Sequence, residues 1–242
     1  MPKLHLRFPL ILALCCCAAL AQAQQLPAPK FGIGLAGASW GFPFNRTSAE
    51  APFDVRLRPT LSAEIQFHYY PQHRLWLSAA AGLLPSSLKT DHLYDIFSHT
   101  RHQAKSAVGW SQYLLAGVGI NFLPPEKEER LLLTCRAGYF FNQVPEVDER
   151  YISLQDYRQR EVAYRFSRGG GAVWQPGFLV ITSTSAAGFA FQASGFAHFS
   201  ATPQDFSRSE QGDLAGSGRF RTYYNGFAFQ IGALYLIQNR KL

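Results

Sequence analysis

The segment from Arg56 to Tyr70 shows a clear alternation of hydrophobic and polar side chains. Its odd-numbered positions are apolar or aromatic, namely Leu57, Pro59, Leu61, Ala63, Ile65, Phe67 and Tyr69. Its even-numbered positions are polar or charged, namely Arg56, Arg58, Thr60, Ser62, Glu64, Gln66 and His68. Because successive side chains of a β-strand lie on opposite faces, this pattern predicts a strand with one face for hydrocarbon and one for polar contacts.

Seven further segments alternate between apolar residues and polar or small ones, which gives eight predicted strands in all. The eight run over about 30–44, 56–70, 74–83, 106–122, 131–142, 174–180, 189–199 and 226–237. Most have about the ten residues that a tilted strand needs to cross the hydrocarbon of a bilayer. An even number of such strands is typical of bacterial outer-membrane barrels.

The connections between these strands alternate in length. Long polar connections are predicted at 45–54, 85–105, 143–170 and 201–218, and short turns at 70–73, 124–129 and 182–185. If the N-terminus is periplasmic, every short turn is periplasmic and every long loop is extracellular, as in outer-membrane barrels. The sequence therefore predicts an all-β fold, an eight-stranded antiparallel up-and-down transmembrane β-barrel with both termini in the periplasm. Weak alternation within 143–170 further predicts that this hairpin continues above the membrane.

A soluble eight-stranded barrel is the alternative architecture. It would place the apolar set of alternating side chains, called the apolar parity below, in the lumen. Arg56, Arg58, Glu64 and Arg136 would then lie on the exterior. The aromatic-rich parity would then overfill a narrow lumen, so we favour the membrane interpretation.

The N-terminus reads as a secretory signal peptide. A basic start precedes an apolar run from Phe8 to Ala21, and AQA at 21–23 matches the small-x-small cleavage pattern, so we expect cleavage after Ala23. The alternative, an anchor helix, requires a longer apolar run. Residues 1–23 are thus interpreted as signal peptide and 24–242 as one barrel domain.

Cysteine usage limits the chemistry of the mature chain. Cys15, Cys16 and Cys17 lie in the predicted signal peptide, which leaves Cys135 alone. An internal disulfide and a thiolate metal site are therefore excluded. Cys135 lies on the apolar parity of its strand and is interpreted as a small hydrophobe that faces lipid.

The charge balance favours a membrane surface over nucleic acid. The chain has 23 basic and 16 acidic residues, and loss of Lys3 and Arg7 with the signal peptide leaves 21 against 16. This surplus is spread through the loops without a basic run. It suits an anionic lipopolysaccharide surface better than a nucleic-acid footprint.

The AQA signal ending, the eight alternating segments and the closing strand GFAFQIGALYLI at 226–237 together carry a resemblance. The mature chain resembles small outer-membrane β-barrel proteins of the OmpA/OmpX-like, PorT-like type. This resemblance implies secretion through Sec and location in the bacterial outer membrane. It also suggests an accessory role in an envelope secretion or assembly complex. Such chains often end on an aromatic residue, whereas QNRKL follows Ile237 here.

Parity assigns a set of polar side chains to the lumen. The members are Arg56, Arg58, Glu64, Gln66, His68, Arg136, Gln192, His198 and Gln230. The lumen of an eight-stranded barrel is filled by side chains, so we interpret the set as an ion-pair and hydrogen-bond network. A proton path or a narrow passive channel is the alternative.

One short motif suggests an enzyme. His198 and Ser200 resemble the His-x-Ser of outer-membrane lipid A deacylases, which use a His-Ser pair and a later acid, for which Glu210 is a candidate. The residue after the serine is Asn in that family and is Ala201 here. His198 also shares the inward parity of Gln192, away from lipid. We therefore keep the esterase as an alternative only.

The remaining motifs predict neither cofactor nor metal. No glycine-rich phosphate loop or HExxH pattern occurs, and His92, His99 and His102 are loosely spaced in one predicted loop. We therefore expect a non-catalytic integral outer-membrane barrel with a structural or interaction role. Its predicted contact surfaces are the loops Pro85 to Lys105 and Gln143 to Gly170, facing lipopolysaccharide, a partner protein or an extracellular ligand.

Overall fold

The computed structural model describes residues 30–44, 46–48, 60–87, 103–106, 108–125, 127, 129–152, 158–183 and 188–238. These residues form twelve β-strands. The strands are β1 (Lys30–Gly41), β2 (Arg46–Thr47), β3 (Thr60–Tyr70), β4 (Leu75–Ser86), β5 (Gln103–Ser106), β6 (Gly109–Asn121), β7 (Arg130–Asn142), β8 (Val147–Ile152), β9 (Gln159–Phe166), β10 (Gly169–Ser183), β11 (Phe189–Glu210) and β12 (Asp213–Gln238). Within these ranges, no helix is long and apolar enough to cross a membrane.

Eight of the strands close into a ring in the order β1-β3-β4-β6-β7-β10-β11-β12. β12 closes the ring because it pairs with β11 on one side and with β1 on the other. All of these pairings are antiparallel and join strands that are neighbours in the ring order. The predicted fold class, an eight-stranded antiparallel up-and-down barrel, is confirmed.

The apolar parity lies on the outside of the ring. On β1, Phe31, Ile33 and Leu35 are exposed, whereas the intervening small residues are buried. The same holds on β12, where Phe227 and Phe229 are exposed. A barrel in water would bury these side chains, so this arrangement matches a lipid-facing wall and not the soluble alternative.

The ring strands β11 and β12 are much longer than the others, and their far ends carry further strands of the same sheet. β9 pairs with the far end of β11, β8 pairs with β9, and β5 pairs with β8. β2 pairs with β12 on the other side. We call this extension, composed of β2, the upper parts of β11 and β12, β9, β8 and β5, the outer sheet.

The predicted polar loop at 201–218 is wrong. β11 continues to Glu210 and β12 starts at Asp213, so most of this region is one long hairpin. The turn is tight because Gln211 and Gly212 both have positive φ, 54° and 93°. Two such residues in succession match a two-residue hairpin turn whose twist suits the flanking strands.

The other long connections are also more regular than predicted. β8 and β9 lie within 143–170, which confirms that this hairpin continues. Gly169 and Gly170, the last residues of the predicted connection, already belong to β10. Pro85 and Ser86 are the last residues of β4. β1 ends at Gly41, three residues before the predicted end.

The interior contains two apolar clusters at opposite ends of the barrel. The lower cluster, near the short connections, comprises Tyr70, Trp76, Leu132, Leu179, Ile181, Ala190 and Leu234. The upper cluster includes Trp40, Phe42, Leu84, Tyr113, Leu115, Phe140, Phe196, Phe220 and Tyr224, together with Val144 and Val147. Phe166 and Phe206 of the outer sheet pack against the upper cluster, so the outer sheet and the barrel share one core.

Candidate functional site

An ion pair occupies the lumen between the two apolar clusters. Nη1 of Arg136 on β7 lies 2.7 Å from Oε1 of Glu64 on β3, and the side chains are 8% and 0% exposed. The guanidinium carbon of Arg136 also lies 4.5 Å from the ring centroid of Phe196. A buried charge in a protein requires such partners, since burial without them is costly.

Glutamines connect this ion pair to the far wall of the barrel. Nε2 of Gln66 donates to Glu64 and to Oε1 of Gln230, the latter at 3.0 Å. Oε1 of Gln66 accepts from Nε2 of Gln192 at 2.6 Å, and Ser194 donates to Gln230 at 3.1 Å. The network therefore joins β3 to β11 and β12 as well as to β7.

His68 closes the network toward the lower cluster. Nε1 of Trp76 donates to Nδ1 of His68 at 2.8 Å, so Nδ1 accepts and the ring proton is on Nε2. Nε2 then donates to Oε1 of Gln66 at 3.0 Å. Both ring nitrogens of a neutral His68 thus have hydrogen-bond partners.

The structure brings the two members of the His-x-Ser motif together in a separate contact set. Nε2 of His198 lies 3.1 Å from Oγ of Ser200, and Nδ1 lies 3.0 Å from Nε2 of Gln175. In this orientation the Gln175 amide donates to Nδ1, so Nε2–H of His198 donates to Ser200. A general base would instead accept the serine proton.

Aromatic side chains enclose His198. The imidazole is fully buried and contacts the rings of Trp40, Phe42 and Phe140. Glu210 lies ten residues beyond Ser200, roughly 33 Å along the strand at about 3.3 Å per residue, at the tip of the outer hairpin.

Glu210 has partners of its own in the outer sheet. Its carboxylate lies 3.0 Å from both Arg160 and Arg208. The geometry therefore describes a buried hydrogen bond between His198 and Ser200, and Glu210 does not complete a catalytic triad with them.

The free space beside the ion pair is small. A cavity of about 20 Å³ is lined by residues that include Ser78, Thr134, Arg136 and Phe196. This volume holds about one water molecule, since one water needs roughly 10–15 Å³ of such space. The lumen is therefore a packed interior at this level, flanked by apolar side chains above and below.

A larger concavity lies on the lipid-facing wall and was missed by the sequence analysis. It has a volume of about 730 Å³ and a floor of small residues that includes Gly37, Ala63 and Ala81. Gln112, the one residue of β6 whose polarity contradicts its outward parity, lies at this groove. Sequence spacing alone could not show that small residues of β1, β3 and β4 meet there.

The outer sheet is rich in paired charges. Arg165 lies 2.7 Å from Asp148 and 3.2 Å from Glu146, and Arg219 lies 2.8 Å from Asp205. Burial raises the pKa of Glu149 above its ordinary value, and the positive charge of Arg208 opposes this shift. These residues lie above the membrane-spanning part of the ring.

Several predicted residues lie outside the described ranges. These are Arg56 and Arg58 of the predicted lumen set, the predicted signal peptide with its three cysteines, and His92, His99 and His102. Cys135 is half-buried on the outer wall, where Nε1 of Trp174 donates to its sulfur at 2.7 Å.

Comparisons with known proteins find only distant structural similarity. No family model matches the chain, and no curated protein is similar to it in sequence. The outer membrane protein OprG from Pseudomonas aeruginosa has a TM-score of 0.47 and 8% identity, with 88% of this chain and 98% of that chain covered. A major outer membrane protein from Thermus thermophilus has a TM-score of 0.43 and 10% identity, covering 87% and 100%. The outer membrane protein AlkL, solved in DMPC bilayers, has a TM-score of 0.42 and 10% identity, covering 91% and 96%. At these identities the likeness concerns the barrel fold alone.

Proposed function

We propose that this chain is a non-catalytic, non-conducting barrel of the bacterial outer membrane that acts through its outer sheet. The observation that carries the proposal is the lumen, in which the Arg136–Glu64 network lies between two apolar clusters. A solute or ion entering from either end meets an apolar cluster before it reaches the Arg136–Glu64 pair. This arrangement favours a sealed barrel over a narrow channel.

The outward-facing side chains support the membrane location. The exposed apolar stretch of β12 extends from Phe227 to Ile237, ten steps along the strand or about 33 Å at about 3.3 Å per step. A strand tilt of about 40° reduces this to about 25 Å, the height of the apolar band in outer-membrane barrels. Aromatic residues lie near both ends of the band, Trp110 and Phe44 above and Phe31 and Tyr235 below.

The difference between the two ends supports an orientation with both termini in the periplasm. The tight connection between β3 and β4 lies at the end that carries the lower cluster. The outer sheet rises from the opposite end. Because long elaborations of outer-membrane barrels are extracellular and short turns are periplasmic, we assign the outer sheet to the outside of the cell.

The outer sheet is the proposed contact surface for a protein partner, including a subunit of an envelope secretion or assembly complex. It is built from paired strands with a shared core and carries exposed arginines and carboxylates such as Arg150, Glu161 and Asp148. A preorganised charged surface of this kind selects partners by electrostatic complementarity at a small ordering cost.

Conductance tests the sealed lumen. The purified full-length protein is reconstituted into planar bilayers, with a porin as the positive control. We expect no steady single-channel openings. Steady openings from the folded protein would contradict the proposal and favour the narrow channel.

Shortening the outer hairpin tests the contact surface. Thr202 and Thr222 are cross-strand partners, so an Asn-Gly turn in place of residues 203–221 leaves the ring intact. We expect this variant to insert into outer membranes and to lose proteins that co-purify with the wild type. Retention of the same proteins by the shortened barrel would place the contact elsewhere.

A further inference from the structure

The outward face of β12 changes character along its length. In the band, Phe229 and Phe227 are exposed, and Phe44 packs beside Phe227 with ring centroids 5.9 Å apart. Beyond Phe227 the outward positions become Asn225, Tyr223 and Arg221. The apolar wall thus ends at an aromatic pair, and polar and basic residues begin directly above it.

Two arginines lie together on this upper part of the wall. Arg46 of β2 is the cross-strand partner of Tyr223, and its guanidinium carbon lies 4.9 Å from the centroid of that ring. Ser48 donates its backbone N–H to the carbonyl of Arg221 at 2.8 Å, and the N–H of Arg221 donates to the hydroxyl of Ser48 at 3.0 Å. Arg46 and Arg221 are therefore diagonal neighbours on one face, about 7–8 Å apart at the backbone.

This arginine pair differs from the other arginines of the outer sheet. Arg219 is paired with Asp205, Arg150 with Glu161, and Arg165 with Glu146 and Asp148. Neither Arg46 nor Arg221 has an ion-pair partner among the residues that the structure describes, and both are exposed. Their two charges are thus available to an external anion.

The pair lies just above the level of the lipid headgroups, within reach of arginine side chains. Tyr223 lies four residues above Phe227, about 13 Å along the strand at 3.3 Å per residue. A strand tilt of about 40° reduces this to about 10 Å above the apolar band. The polar layer on each side of a bilayer is about 5–8 Å thick, so Arg46, which pairs with Tyr223, lies just above it. Arg221, two residues further along β12, lies about 15 Å above the band by the same arithmetic, and its long side chain would extend down the wall to reach the headgroups.

We propose that Arg46 and Arg221, with Tyr223 between them, bind a phosphate group of lipid A in the outer leaflet. Guanidinium groups suit this ligand because their planar fork donates two hydrogen bonds to phosphate oxygens. The Tyr223 ring holds Arg46 in place, and the Ser48 hydrogen bonds hold the Arg221 backbone. The site rests on the proposed outer-membrane function, since it requires the band below it to be embedded.

Lipid binding tests the site directly. The full-length protein in detergent micelles is titrated with bisphosphorylated lipid A and with phosphate-free lipid A, and the complexes are quantified by native mass spectrometry. We expect the variant R46Q/R221Q to bind the bisphosphorylated lipid on the order of tenfold more weakly than the wild type. The wild type should bind phosphate-free lipid A more weakly than bisphosphorylated lipid A. The substitutions should leave the binding of phosphate-free lipid A unchanged.

Arg150→Gln is the matched control, because Arg150 is an exposed arginine of the outer sheet that is paired with Glu161. It should bind like the wild type. Equal affinity of wild type and R46Q/R221Q, or no preference for the phosphorylated lipid, would overturn the site. Displacement of the lipid by inorganic phosphate would also overturn it, as this outcome indicates a free-phosphate site. If the wild type inserts into vesicles yet shows no phosphate preference, the site fails while the membrane function stands; failure to insert removes both.

Discussion

Nη1 of Arg136 lies 2.7 Å from Oε1 of Glu64, and this contact joins β7 to β3 across the lumen. The two residues are 72 positions apart in the chain, and their strands are not neighbours in the ring, so the pair forms only when the sheet curves around the lumen. Gln66 and Gln230 extend the contact to β12. The pair therefore links closure of the barrel to satisfaction of its buried charges.

Removal of one partner should be far more damaging than removal of both. Arg136→Met leaves the Glu64 carboxylate buried without a counter-charge, and we expect a loss of about 3–5 kcal/mol in the free energy of unfolding. Arg136→Met combined with Glu64→Gln should recover much of this loss. Urea unfolding in lipid vesicles, followed by tryptophan fluorescence, measures both values.

The control for this prediction is the exposed pair of Arg150 and Glu161. Arg150→Gln should change the free energy of unfolding by less than about 1 kcal/mol, because solvent screens exposed ion pairs. Similar losses for Arg136→Met and Arg150→Gln would argue against a dry lumen.

Gly82 should not tolerate a side chain. It faces inward on β4, where a Cβ would overlap the phenol ring of buried Tyr113. Gly82→Val should therefore destabilise the barrel by about 1–3 kcal/mol through overpacking. Gly37→Val is the matched control on the outer wall, where the nearest atom to an added Cβ is 3.7 Å away, and it should be neutral in the same unfolding assay.

The tip of the outer hairpin depends on Gly212. Its φ of 93° is in the region that disfavours side chains, so Gly212→Ala should weaken the hairpin by about 1–2 kcal/mol. Gly216→Ala is the control, since Gly216 has no positive φ and open space around it. Limited proteolysis of the folded protein should cut the hairpin faster in the first variant only. Equal cutting rates would indicate that the turn adopts another conformation.

The outer sheet should lose stability as the pH rises through the range set by Glu149. Burial raises the pKa of this carboxyl group above its ordinary value of 4.5, so the folded sheet holds the proton to higher pH than the unfolded chain does. Above the raised pKa the buried carboxyl group ionises in the folded sheet, and this lowers the stability of the sheet. Below pH 4.5 the group is protonated in both states, so the loss of stability is absent. Glu149→Gln should protect β8 and β9 from hydrogen exchange at pH 7 and have no effect at pH 4.

Glu161→Gln serves as the control for the pH experiment, because Glu161 is exposed on the same sheet and paired with Arg150. If Glu149→Gln protected the amides more at low pH than at neutral pH, the predicted direction of the pH dependence would be contradicted.

The membrane-spanning part of this fold could be predicted from the sequence because lipid and lumen impose opposite demands on neighbouring residues. Ile65 and Glu64 are adjacent, yet one is exposed to lipid and the other is fully buried in the lumen. The outer hairpin could not be predicted in this way. Above the membrane the outward positions of β11 are polar or small, such as Ala201 and Asp205, so the hydrophobic contrast disappears although the strand continues.

Parity also has limits within the lumen. It places Glu64, Gln66 and Arg136 on the inner face, where they are buried, but it contains no information on which groups pair. The separation of His198 from the ion-pair network follows from the aromatic rings of Trp40 and Phe140 around it. Such contacts depend on strand register. The alternating pattern determines which face of the sheet a side chain lies on, but it does not determine which cross-strand neighbours that side chain contacts.

The four tryptophans give the most direct test of the central claim, that the apolar parity faces lipid and the polar parity is sealed inside. Trp110 and Trp174 are 56% and 39% exposed on the outer wall, whereas Trp40 and Trp76 are 1% and 2% exposed in the lumen. Single-tryptophan variants, with the other three positions changed to Phe, are inserted into vesicles that contain brominated lipid. The account predicts strong quenching of Trp110 and Trp174 and weak quenching of Trp40 and Trp76. Equal quenching at all four positions, or quenching of Trp40 and Trp76 alone, would contradict it.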